Sequence, residues 1–146
     1  MRTVHVIRPD QTPGPVNVVG EAITILAGGD PGKPFEMHIQ EGVQGGGPPA
    51  HFHPWDEAFY VIDGQVEVTV EGTATTVSAG GYVHIPGGTI HAYRNVSTTA
   101  KMIGVVSDPR GGRFFAAVDR LRMPEDLPRI LEIAEAHGVT FLVPKG

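Results

Sequence analysis

The sequence predicts an all-β domain finished by short C-terminal helices, and three observations carry that expectation. Runs of alternating apolar and polar residues recur from the N-terminus to about residue 106. The 20 glycines and 13 prolines fall mostly between those runs, as a fold with many turns requires. After Ser107-Asp108-Pro109-Arg110-Gly111-Gly112 the apolar spacing lengthens to that of a helix.

The strands are read in order. Residues 3–8 are β-branched and alternating, and after Pro9, Pro13 and Pro15 a second strand-rich stretch runs over 16–26. A loop is expected at 28–34. Phe35, Met37 and Ile39 then alternate with Glu36, His38 and Gln40, giving one apolar face and one polar face. Asp63-Gly64 predicts a type I′ hairpin between 58–62 and 65–70, and Glu71-Gly72 predicts another before 73–77. Further strands are expected at 82–85, 90–96 and 101–106. Phe114, Phe115, Val118 and Leu121 have helical spacing, as do Leu127, Ile130, Leu131 and Ala134. Asp126 reads as an N-cap, Pro128 as a first-turn residue and Gly138 as the residue just past the helix. Residues 140–143 close the chain as a strand or extended arm.

Composition narrows the function classes. A length of 146 residues favours one domain, taken as 1–146, with a barrel core at about 16–106 and a helical cover at about 111–146. The net charge of −5 argues against nucleic acid. Arg110, Arg113, Arg120, Arg122 and Arg129 cluster late but alternate with acids, which predicts a solvated face. No apolar run reaches the roughly 20 residues of a membrane span, and residues 1–10 lack a signal-peptide pattern. With no cysteine, disulfides, thiolate ligands and thiol nucleophiles are all excluded. A cytoplasmic protein with a small-molecule partner is expected, with no membrane or nucleic acid.

Two segments carry chemistry. In Gly45-Gly46-Gly47-Pro48-Pro49-Ala50-His51-Phe52-His53-Pro54-Trp55-Asp56-Glu57, strand alternation points His51 and His53 the same way. Glu57 keeps that parity if Pro54 to Asp56 preserve the register. In the segment from Gly80 to Asn95, the turn Pro86-Gly87-Gly88 presents His91 at the start of a returning strand. Tyr93 and Asn95 share its parity.

These segments resemble the two motifs of the cupin superfamily. Gly45, His51, His53, Glu57 and Gly64 match the first, and Gly80, Pro86, Gly88, His91 and Asn95 match the second, with 15 residues between them. Gly81 departs from the aspartate that many members carry there, at a turn position rather than a ligand. The motifs cover about a third of the chain. The flanks, Glu57-Ala58-Phe59-Tyr60-Val61 and the Phe114-Phe115 tail, look like small single-domain members grouped with quercetin 2,3-dioxygenases.

The resemblance implies a double-stranded β-helix, the jelly-roll or cupin barrel, and a homodimer. It implies one divalent transition metal (Fe, Mn, Ni, Zn or Cu) held by His51, His53, Glu57 and His91, a donor set suited to such ions. Glu57 is expected to be catalytic as well. Trp55, Phe59 and Tyr93 share the ligands' parity and are candidate substrate-binding residues. His38 is a fourth candidate, on a face that looks into the cavity or into water. His5, His84 and His137 are read as surface or helix-end residues. The implied function is a dioxygenase acting on a small aromatic or enolic substrate with O₂. The alternatives are a redox-neutral isomerase, cyclase or decarboxylase, and a non-catalytic binding protein.

Overall fold

The computed structural model describes residues 3–27 and 33–143; most of the loop expected at 28–34 lies outside the described residues. The strands in chain order are β1 (Val16–Val18), β2 (Glu21–Ala27), β3 (Glu36–Val43), β4 (His51–Phe52), β5 (Glu57–Asp63), β6 (Gln65–Val70), β7 (Thr73–Ser78), β8 (Tyr82–Ile85), β9 (His91–Asn95) and β10 (Thr99–Val106). Two helices, α1 (Arg110–Ala117) and α2 (Leu127–Ala136), precede a last strand, β11 (Thr140–Phe141). The strands form two antiparallel sheets, in the orders β1-β2-β3-β10-β5-β8 and β11-β4-β9-β6-β7. Phe59, Val61, Ile85 and Met102 from the first sheet pack against Val66, Val68 and Tyr93 from the second. This is the jelly-roll sandwich with a helical addition.

The residues expected at 3–8 as a strand form none, and Val4 and Val6 are exposed. The stretch expected over 16–26 is a hairpin: Val19 and Gly20 take φ of 50° and 88°, the two left-handed positions of a type I′ turn. Asn17 Oδ1 accepts the Gly20 N–H at 3.1 Å. The Glu71-Gly72 hairpin forms as expected, with φ of 47° and 85° and Val70 paired to Thr73.

The Asp63-Gly64 hairpin does not form. β5 pairs with β8 and β10, whereas β6 pairs with β7 and β9. Gly64 still supplies its positive φ of 78°, but the turn carries the chain from one sheet to the other. A hairpin would leave Phe59 and Val61 beside Val66 and Val68 in one sheet. The crossing instead sets these inward-facing residues against one another across the core.

The two faces of β3 are also reversed from the simplest hydrophobic reading. Glu36, His38 and Gln40 are buried, while Phe35 is exposed and Met37 and Ile39 lie on the half-buried outer face. The interior at this end is polar and internally satisfied. Glu36 accepts the Gly112 N–H at the start of α1, and Gln40 Nε2 donates to Glu21 Oε2 at 3.4 Å.

The first helix begins at Arg110, four residues ahead of the expected Phe114. Gly111 and Gly112 are weak helix formers, but they sit against the Glu36 carboxylate, which a Cβ on Gly112 would approach to 2.9 Å. α2 forms over the expected residues and ends in a Schellman motif. Gly138, at φ 82°, donates to Glu135 O, and Val139 donates to Ala134 O at 2.9 Å. Asp126 does not cap α2 with its side chain; Oδ2 accepts the Arg122 N–H at 2.8 Å instead. Phe114, Val118, Ile130, Ala134 and Val139 form a second core with Trp55 and Val106 of the barrel. β11 then pairs with β4, setting Phe141 opposite His51.

Candidate metal centre

His51 opens β4 and stands directly opposite His91, the first residue of β9. Their rings lie 4.3 Å apart, and His53 follows on the same face, 5.1 Å from the His91 ring. Glu57 does not extend that strand. The chain crosses between sheets at Pro54–Asp56, and Glu57 opens β5 in the opposite sheet. The carboxylate therefore meets the three imidazoles from across the barrel. One donor atom from each of the four residues lies within 4.8 Å of the others.

Each imidazole is oriented the same way. Nδ1 donates to a backbone carbonyl: His51 to Pro49 at 2.8 Å, His53 to Trp55 at 3.0 Å and His91 to Thr89 at 2.8 Å. This fixes the tautomer and leaves Nε2 facing inward with a free lone pair. His53 Nε2 lies 2.9 Å from Glu57 Oε2, close enough that a proton or cation must lie between them. His91 Nε2 is 3.4 Å from the same oxygen. It is not aligned to hydrogen-bond and is the one buried side-chain polar atom among the described residues without such a partner. Buried polar atoms are seldom left so. Three inward lone pairs and a carboxylate fit a first-row divalent cation.

The electrostatics agree. Burial would raise Glu57, but the hydrogen bond from His53 and the charges of His53 and His91 beside it outweigh burial and hold the carboxyl well below its ordinary range. Burial, then the neighbouring His91, lowers His51 to about 4. Burial opposes protonation of His91, yet Glu57 and the Thr89 carbonyl raise it. The metal-free site is thus a carboxylate with neutral His51 beside it at pH 7, a pairing ready to take up positive charge.

A cavity of about 210 Å³ opens above His51, His53 and Glu57. At roughly 30 Å³ per water it holds the equivalent of about seven waters, enough for a small molecule. Trp55 and Tyr93 line it, as do Phe114, Phe115, Ile130 and Phe141 from the helical cover. Phe59 is 4% exposed in the core below, 6.1 Å from the Tyr93 ring, and does not reach the cavity. His38 also lies off the lining. It is buried across Gly104 and meets Phe115 edge-on at 5.2 Å, and burial lowers its pKa. His84 is half exposed and bonds Asp56 at 3.0 Å, and His137 Nδ1 donates to Ile133 O at the end of α2.

The sequence reading missed Glu21 and Gln40, which line the cavity. Glu21 is 5% exposed and accepts Asn95 Nδ2 at 2.9 Å. Its signal was an acid sharing strand parity with Ile23 and Ile25. The basic residues of the tail are exposed, as expected, and the Arg110 guanidinium, while solvated, lies 5.1 Å over the Trp55 ring.

Comparison with known proteins places these features. A family model described as the cupin domain matches residues 35–106. Quercetin 2,3-dioxygenase of Bacillus subtilis strain 168 is 33% identical across 75% of this chain and 36% of its own length. The chain thus spans little more than a third of that relative. KdgF from a Halomonas species aligns with a TM-score of 0.67 at 21% identity, over 76% of this chain and 99% of that one. An RmlC-like cupin from Shewanella frigidimarina aligns with a TM-score of 0.65 at 20% identity, over 76% and 96%.

Proposed function

The chain belongs to the cupin superfamily, and from that premise we propose that it is a metal-dependent dioxygenase acting on a small aromatic or enolic substrate. The observation that carries this reading is the buried set of His51, His53, Glu57 and His91, the first three of which line an apolar cavity. Likeness to a quercetin 2,3-dioxygenase supports the oxidative chemistry. His51, His53, Glu57 and His91 would hold one Fe, Mn, Ni, Zn or Cu ion per chain. Such an ion supplies Lewis acidity and, for the redox-active members, electron exchange with dioxygen.

The chain's own residues do the rest. The carbonyls of Pro49, Trp55 and Thr89 hold the imidazoles in the binding tautomer. The Glu57 carboxylate, anionic at neutral pH, accepts the proton of a substrate hydroxyl within hydrogen-bond reach. Tyr93 packs against the substrate, the edge of Trp55 closes the wall beside it, and Phe114, Phe115 and Phe141 exclude water. Burial, then the charges of Glu21 and Glu57, raises the Tyr93 phenol well above its ordinary value, so it remains a hydrogen-bond donor.

The test is oxygen uptake on a panel of flavonols, catechols and enediols, with protein loaded separately with each of the five metals. Metal-dependent uptake on any of them is expected. Turnover under strict anaerobiosis without uptake in air would replace this reading with a redox-neutral one. We further propose that the whole chain acts as one domain and pairs as a homodimer. Tyr60, Ile62 and Val105, exposed on the outer face of the six-stranded sheet, support such pairing, as do Val4 and Val6. No helix among the described residues is long and apolar enough to cross a membrane.

A further inference from the structure

We infer that the cavity has a second polar end, formed by Glu21 and Gln40, which receives a hydrogen-bond-donating hydroxyl on the part of the substrate remote from the metal ligands. The inference rests on the proposed function in taking this cavity as the substrate site. It adds a substrate class: a small ring with metal-binding oxygens at one end and a hydroxyl-bearing arm at the other.

Glu21 has no part in the ligand set, and its strand would ordinarily present an apolar side chain at an inward position. Ile23, the next inward residue of β2, is 1% exposed in the same sheet. A buried carboxylate is costly without a cation, yet the partners of Glu21 are two carboxamides. Asn95 Nδ2 donates to Oε1 at 2.9 Å and Gln40 Nε2 to Oε2 at 3.4 Å. Each oxygen accepts one of these bonds, and a carboxylate oxygen can accept a further one. Two glycines make the room. A Cβ at Gly42 would lie 2.0 Å from Oε1, and one at Gly46 would lie 2.2 Å from it. The backbone is therefore shaped around this carboxylate, while Glu21 and Gln40 both line the cavity.

The strand orders the site. His91 and Asn95, the donor to Glu21, are the two ends of β9. Tyr93 stands between them and lines the cavity. A molecule reaching from the imidazoles to Glu21 therefore passes the aromatic wall midway, which suits a ring with polar groups at both ends. Both Glu21 oxygens keep an acceptor position for a donating hydroxyl, while burial raises the Glu21 pKa, partly offset by Asn95.

The experiment is calorimetric titration of the zinc-loaded full chain, without oxygen, with 4-(hydroxymethyl)catechol and 4-methylcatechol. Wild type should bind the hydroxymethyl compound about ten-fold more tightly, the value of one hydrogen bond to a charged group. In Glu21→Met the two affinities should come within about two-fold. Gly46→Ala, which keeps the carboxylate but displaces it, should do the same if Glu21→Met fails to fold. Equal binding of both compounds by wild type, or a ten-fold preference surviving in either folded variant, overturns this inference alone. Failure of both compounds to bind wild type overturns it together with the proposed function.

Discussion

The imidazole of His53 and the indole of Trp55 lie face to face, 4.6 Å apart with 9° between their planes. His53 also donates from Nδ1 to the Trp55 carbonyl, so one residue fixes both the tilt and the tautomer of a candidate metal ligand. Arg110 covers the far side of the indole. Trp55→Leu should lower stability by roughly 3 kcal/mol through the lost packing. It should also weaken zinc binding about ten-fold through the loosened ligand. Chemical denaturation and chelator competition would measure the two, and unchanged affinity in a folded variant would refute the orienting role.

Because Glu57 and the imidazoles come from different sheets, binding an ion should add stability. Free metal at 100 times its Kd should raise unfolding free energy by about 2.7 kcal/mol. Elemental analysis should find close to one ion per wild-type chain and strong depletion in His51→Ala/His53→Ala. Equal metal in both would sink the assignment. Glu57→Gln, saturated with metal, should still lose at least ~10²-fold in turnover, the lower end for general-base catalysis. Wild-type turnover in that loaded variant would rule Glu57 out as the base.

Burial holds His38 and His51 below the ordinary imidazole value, His51 at about 4. The unfolded chain takes up protons near pH 6.5 that these folded imidazoles refuse. Their contribution to stability is therefore complete above about 6.5, falls as the solution is acidified, and for His51 is exhausted near 4. His91 is raised and works in the opposite sense, so the informative quantity is a difference. Between pH 7 and 5 the metal-free wild type should lose more unfolding free energy than His38→Gln, because burial lowers the His38 pKa. Parallel losses would refute a buried neutral His38.

Ending the chain before Gly111 should lower the melting temperature. The helical cover shares its core with Trp55 and Val106, and neither helix is long enough to be stable alone. Trp55 is the only tryptophan in the chain, so its emission should shift to the red in the shortened protein. An unchanged melting temperature and unshifted emission would make the tail an appendage.

The sequence singled out all four residues that the fold brings together as a candidate metal cluster, because motif spacing survives whatever path the chain takes between its fixed points. It misread the path. Asp63-Gly64 encodes a tight turn, but a turn is local, and which sheet receives the next strand depends on packing between residues distant in sequence. β3 shows the second limit. Alternation separates Met37 and Ile39 from Glu36, His38 and Gln40, yet it does not say which row faces inward when the interior is a polar site. Glu21 escaped notice for the same reason.

The helical cover is fastened at both ends. Glu36 grips the first turn of α1, and β11 is zipped onto the strand that carries His51. Such a cover cannot swing as a door without undoing a ligand-bearing strand. Among the large apolar residues lining the cavity, Val19 at 43% and Met123 at 46% are the exposed ones, and they mark its opening. A small molecule entering at that rim would leave both fastenings of the cover intact.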